Sequence, residues 1–198
     1  MVRFRSRRFG RSEEGSVLTE GLLILPIMFL AFAIIVELGL MLFQWNMAAK
    51  SMHLAVRKLV VSDPVTSDFN TVFAFDPAQG GQLIDADATI ISQCDGDPSS
   101  AIPDCNAGVM DRLVNGAGGP AWPGLTAYFP SIEPEHVQIT YEQSGLGYQG
   151  RPLGPVVTVR LQINRAAVDL PVLGGLFDFV GIGFPPFTVS ATSEDLTG

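Results

Sequence analysis

The hydrophobic pattern divides the chain into three regimes. From Gly21 to Phe43 the sequence reads GLLILPIMFLAFAIIVELGLMLF, 23 residues in which Glu37 is the only charge. At about 1.5 Å per residue, about 20 such residues suffice to cross a bilayer as a helix. The pattern then changes. Trp45, Ala48, Met52, Ala55 and Leu59 recur at helical spacing, with Asn46, Lys50, His53 and Arg57 on another face, which predicts one amphipathic face continuing the same helix. No glycine or proline interrupts residues 41–62, and Asp63-Pro64 ends the run, because a residue before proline is driven out of the helical region. A helix from about Ser16 to about Val61 would be near 70 Å long.

The third regime alternates with period two. Val137, Ile139 and Tyr141 share one side of residues 136–142. Val157, Val159, Leu161 and Ile163 do the same further on, as do Phe187, Val189 and Ala191. Three such strands, each with a polar face, predict an antiparallel sheet covered on one side, with the amphipathic half of the long helix as the cover. A shorter strand is expected over residues 88–93, a short helix over Ala107–Asn115 stopping at Gly116, and packing under the sheet from Trp122, Tyr128 and Phe129. The fold class is therefore α+β: a long N-terminal helix, half transmembrane and half amphipathic, packed on a small antiparallel sheet.

Charge orients this arrangement. Residues 1–58 hold eight Lys/Arg against four Asp/Glu, and residues 59–198 hold four against sixteen. Arg3, Arg5, Arg7, Arg8 and Arg11 precede the apolar run, so the positive-inside rule places the N-terminus in the cytoplasm and the acidic bulk outside the membrane. Three regions follow: a basic cytoplasmic leader (1–15), a transmembrane and spine helix (16–62) and an extracytoplasmic domain (63–198). A cleaved secretory signal has a shorter apolar core and small residues at its end, whereas Leu40–Trp45 is bulky. The acidic outer domain is unsuited to nucleic acid, which needs clustered positive charge.

Individual residues in the helix carry candidate chemistry. Glu20 stands at the mouth of the apolar run. Either it complements the helix dipole, with Ser16 or Thr19 as N-cap, or it pairs with a cation of another chain. Pro26 removes a backbone hydrogen bond and clashes with the Leu22 carbonyl, so a kink or local melting is expected there. Glu37, a carboxylate within the run, either snorkels to the outer interface or joins a helix–helix contact, the reading favoured for a charge at that depth. Trp45 reads as an interface anchor.

The sequence Gly15-Ser-Val-Leu-Thr-Glu20 followed by GLLILP to Pro26 resembles the TadE/TadG family of pilin-like proteins, minor pseudopilins of the Tad (tight adherence) pilus system. The likeness is strongest over residues 10–60. Gly21 stands where the family usually has phenylalanine. The resemblance implies cleavage of the leader between Gly15 and Ser16 by a membrane prepilin peptidase. It also implies that Glu20 pairs with the new α-amino group of a neighbouring subunit and sets axial register. The implied partners are the membrane, the peptidase, other pilins or pseudopilins and the Tad assembly machinery. The implied role is assembly or initiation of an adhesive pilus, with consequences for surface attachment and biofilm. A membrane-anchored assembly factor that never enters the filament is the alternative.

In the outer domain, Cys94 and Cys105 enclose CDGDPSSAIPDC, and two cysteines this close are expected to pair in an oxidising compartment. Asp95, Asp97 and Asp104 lack the glycine and terminal glutamate of a calcium loop and read as solvated charge. No catalytic motif is present in the sequence, so neither an enzyme, a metal, a cofactor nor a small-molecule substrate is expected. Residues 166–186, AAVDLPVLGGLFDFVGIGFPP, contain no Lys or Arg. They read as a buried connector at the sheet edge or, less simply, as an exposed contact surface.

Overall fold

The computed structural model describes residues 14–85, 89–116, 123–152, 154–168, 170–177, 182–183 and 185–193; the arginines of the leader and Trp122 lie outside them. The first element is α1, Glu14–Leu59, 46 residues of unbroken helix. Short elements follow: α2 (Phe69–Val72), β1 (Ile91–Asp95) and α3 (Ala107–Asn115). Then come β2 (Val137–Gln143), β3 (Val157–Ile163), β4 (Ala167–Val168), α4 (Pro171–Phe177), β5 (Ile182–Gly183) and β6 (Phe187–Thr192).

β1, β2, β3 and β6 form one antiparallel sheet in the order β1-β2-β3-β6. Register follows the alternation in the sequence. Ile139 stands opposite Leu161, and Leu161 opposite Val189, so one face collects the apolar side chains. Val137, Ile139, Tyr141, Val157, Val159 and Leu161 are completely buried there. The other face is polar, and Arg160 and Glu142 pair across β3 and β2.

The C-terminal half of α1 covers the apolar face. Ala48, Met52, Ala55, Val56 and Leu59 are buried, whereas Asn46, Lys50, His53 and Arg57 are exposed. Trp45 packs against this core at its N-terminal end along α1, its ring 5.0 Å from that of Phe187 at the start of β6. The core is completed by Met110, Leu113 and Val114 of α3 and by Leu125, Phe129 and Ile132. Asn106 caps α3 by accepting from the N–H groups of Gly108 and Val109, and Gly116 ends it at φ 84°. Phe69 of α2 lies edge-on to Tyr141, with ring centroids 5.2 Å apart, and the Tyr141 hydroxyl accepts from Val65 N–H at 3.1 Å.

Three expectations are adjusted. β1 is displaced from 88–93 to Ile91–Asp95, because Cys94 and Asp95 pair with Ile139 and Gln138 of β2. Ser16 is already helical, α1 occupying the described residues from Glu14, and the helix ends at Leu59 rather than near Val61. It also runs through Pro26 without melting, although the Leu22 carbonyl has lost its normal donor.

Cys94 and Cys105 are disulfide-bonded, with Cα atoms 4.9 Å apart. Closing a loop of this length restricts the unfolded chain by about 3 kcal/mol. Replacing both cysteines by alanine is therefore expected to lower the unfolding free energy by about 3 kcal/mol. Denaturant titration of the two forms checks this, and equal midpoints would contradict it.

Candidate functional site

The N-terminal half of α1 is almost bare. An 18-residue window of this helix has mean hydropathy 2.6, and only 6% of it is buried by the rest of the protein. The core helix of a water-soluble domain would be largely covered. α1 is thus long and apolar enough to cross a membrane once. Leu23, Ile27, Phe29, Phe32 and Ile35 are each about two-thirds exposed or more, and Gly21 with Ile24, Leu25, Met28, Phe29 and Phe32 lines a shallow apolar groove along the helix.

Gly15 and Ser16 stand in the first turn of α1. Thr19 is inside the helix and donates its hydroxyl to the Gly15 carbonyl at 3.2 Å, which removes it as an N-cap. Glu20 is exposed.

Glu37 behaves differently from every neighbour. It is 2% exposed in a stretch where Ile35 is 69% and Leu38 57% exposed. What buries it is α4, the short helix in the apolar segment between β3 and β6. The Glu37 carboxylate accepts from the backbone N–H of Val172, and from that of Leu173 at 2.9 Å and 3.2 Å through its two oxygens. A helix start leaves such N–H groups without partners, so the carboxylate and the amides satisfy each other within one chain. Glu37 and Val172 are 135 positions apart, and the sequence signal was indirect: an apolar connector and an intramembrane carboxylate, each without an evident partner. Segment 166–186 accordingly combines features of both expectations. Ala166 and Leu170 are buried, while Val172 and Leu176 face outward.

The acidic loop is structural. Arg165, at φ 59°, forms ion pairs with Asp97 and, at 3.5 Å, with Asp95. Asp95 is buried rather than solvated, correcting the reading of its charge. The Ser99 hydroxyl and then the Ser99 backbone N–H hold the Asp97 carboxyl below its ordinary range, and Arg165 adds to the effect. Elsewhere, Glu133, Glu135 and His136 bring ligand-type atoms within 4.8 Å of one another. His136 Nδ1 is already engaged, accepting from the Glu133 N–H at 3.1 Å. Lys58 donates to the Pro123 carbonyl at 3.2 Å, and burial lowers its pKa. A cleft of about 500 Å³ lies between Phe73, Phe75, Ile84, Tyr148 and Arg151, and among the described residues none that line it pair a nucleophile with a base.

Comparison with models of known protein families, with curated proteins and with solved structures found no match.

Proposed function

We propose that this chain is a TadE-like minor pseudopilin acting in assembly or initiation of a Tad-type adhesive pilus. α1 would hold it in the bacterial inner membrane, with its N-terminus cytoplasmic and the sheet domain periplasmic, and a prepilin peptidase would cut after Gly15. The observation that carries this reading is the division of a single 46-residue helix. Its first half is apolar and bare; its second half is the cover of an antiparallel sheet. A subunit built this way can pass from lipid contacts to contacts with sister helices without refolding its head. The order of basic leader, Gly15, Ser16, Glu20 and apolar helix supports the same reading. The exposure of Glu20 supports its pairing with an amino group of another subunit. The groove beside Gly21 offers close helix packing of the kind small residues permit.

Deletion of the protein in its host is expected to reduce surface pili and attachment, with a minor amount of it recovered in sheared surface filaments. Normal piliation after deletion would contradict the proposal. One observation favours the fixed assembly factor as a second reading: α4 occupies the side of α1 at Glu37, where a sister helix would otherwise pack. Protein confined to membranes, with pili still lost on deletion, would decide for that reading.

A further inference from the structure

Among the described residues between β3 and β6, β4, α4 and β5 form a finger. Its stem is the ribbon of β4 and β5, which pairs Ala167 with Gly183 and Val168 with Ile182. Its tip is α4, PVLGGLF, without a polar side chain. Gly174 N–H closes the first turn on the Leu170 carbonyl at 2.7 Å. Val172 is 49% and Leu176 61% exposed.

Two contacts set the depth of the finger along α1. Phe187, just beyond it, packs on Trp45, and tryptophan at the end of an apolar run marks the membrane–water interface. Glu37, which holds the tip, is eight residues earlier in the same helix, or about 12 Å further into the bilayer at the usual rise. The hydrocarbon is about 30 Å thick, so the tip sits in its outer half. At that level Ile34, Ile35, Val36, Leu38 and Leu40 of α1 are between 38% and 69% exposed, so the tip lies beside a bare apolar stretch of the helix. The electrostatics fit the same depth. A carboxylate alone in hydrocarbon is unfavourable, and so is an unpaired amide; each supplies what the other lacks.

The geometry points to an outer-leaflet membrane insertion: the finger of β4, β5 and α4 embeds α4 among lipid acyl chains, with Glu37 as the residue that positions it. The protein would then hold the bilayer at two places. The inference rests on α1 being a membrane span and is independent of a role in a pilus.

The test uses the full chain in phospholipid nanodiscs, with a nitroxide on one introduced cysteine at a time; Cys94 and Cys105 are disulfide-bonded and do not react without reductant. Leu176→Cys reports the tip, Phe32→Cys the span and Leu146→Cys the outer domain. Collision with oxygen relative to a water-soluble nickel complex is measured at each. The expected result is a Leu176 label that matches Phe32, several-fold richer in oxygen collisions than Leu146. A Leu176 label as nickel-accessible as Leu146, with Phe32 still in lipid, overturns the insertion and leaves the span standing. A Leu176 label shielded from both reagents means that protein, for example a second copy, covers the tip, and lipid is the wrong occupant. A nickel-accessible Phe32 overturns the span and the insertion together. Glu37→Leu is expected to move the Leu176 label toward water, and Glu37→Gln, whose carbonyl still accepts, to keep it at depth. An unmoved label in Glu37→Leu overturns the positioning role.

Discussion

Aspartate at Met52 is expected to abolish the folded outer domain, whereas aspartate at the adjacent His53 is expected to leave it intact. Met52 has no exposed surface and lies between α1 and the sheet, and His53 points to solvent. Truncating a buried methionine costs about 2–5 kcal/mol. An unpaired carboxylate in the same place adds several more. The total rivals the about 5–15 kcal/mol that holds a typical domain together. At His53 the substitution is expected to stay within about 0.5 kcal/mol. Thermal unfolding of the detergent-solubilised variants, followed by circular dichroism of the sheet, measures both. A cooperative transition at the wild-type temperature for Met52→Asp would mean that α1 is not the cover of the sheet.

Stability should also fall at high pH through one identifiable side chain. Burial pushes the Tyr141 phenol up to about 12, opposed by the hydrogen bond from Val65 N–H. An unfolded tyrosine titrates near 10, so the folded state holds its proton more tightly. The resulting stabilisation is complete below about pH 10 and is lost as the pH rises through about 12, amounting to about 3 kcal/mol. Tyr141→Phe is expected to remove this alkaline arm. At neutral pH it is expected to lose about 1–3 kcal/mol, because the buried Val65 N–H is left without its acceptor. Denaturant titrations of both forms from about pH 8 to about pH 12 follow the linkage directly. Parallel alkaline curves for the two proteins would show that Tyr141 is not the group responsible.

Local periodicity revealed the elements, and only three-dimensional pairing revealed the contacts between them. β2, β3 and β6 were legible because one covered face forces alternation, as at Val157, Val159, Leu161 and Ile163. α3 was legible to the residue because Asn106 and Gly116 cap it. The amphipathic half of α1 was legible for the same reason, its stripe reappearing as Ala48, Met52, Ala55 and Leu59 in the core. β1 was misplaced because its register depends on Cys94 and Asp95 facing β2, which no pattern within residues 88–93 encodes. Trp45 shows the ambiguity of a single aromatic. An interface anchor and a ring packed on Phe187 look alike in sequence, and the structure shows the second. The contacts of Glu37 with α4 and of Arg165 with Asp95 and Asp97 join distant segments. Composition announced only that a carboxylate in hydrocarbon needed a partner.

The processing of the N-terminus bears most directly on the pseudopilin reading. Protein extracted from membranes would be sequenced from its N-terminus, in cells with and without a prepilin peptidase. A start at Ser16 that requires the peptidase is the expected result, and it would make Glu20→Gln the next variant to examine for filament assembly. An uncut leader in both strains would contradict pilin-type processing and favour the fixed anchor. A start beyond Phe43 would contradict the membrane span itself.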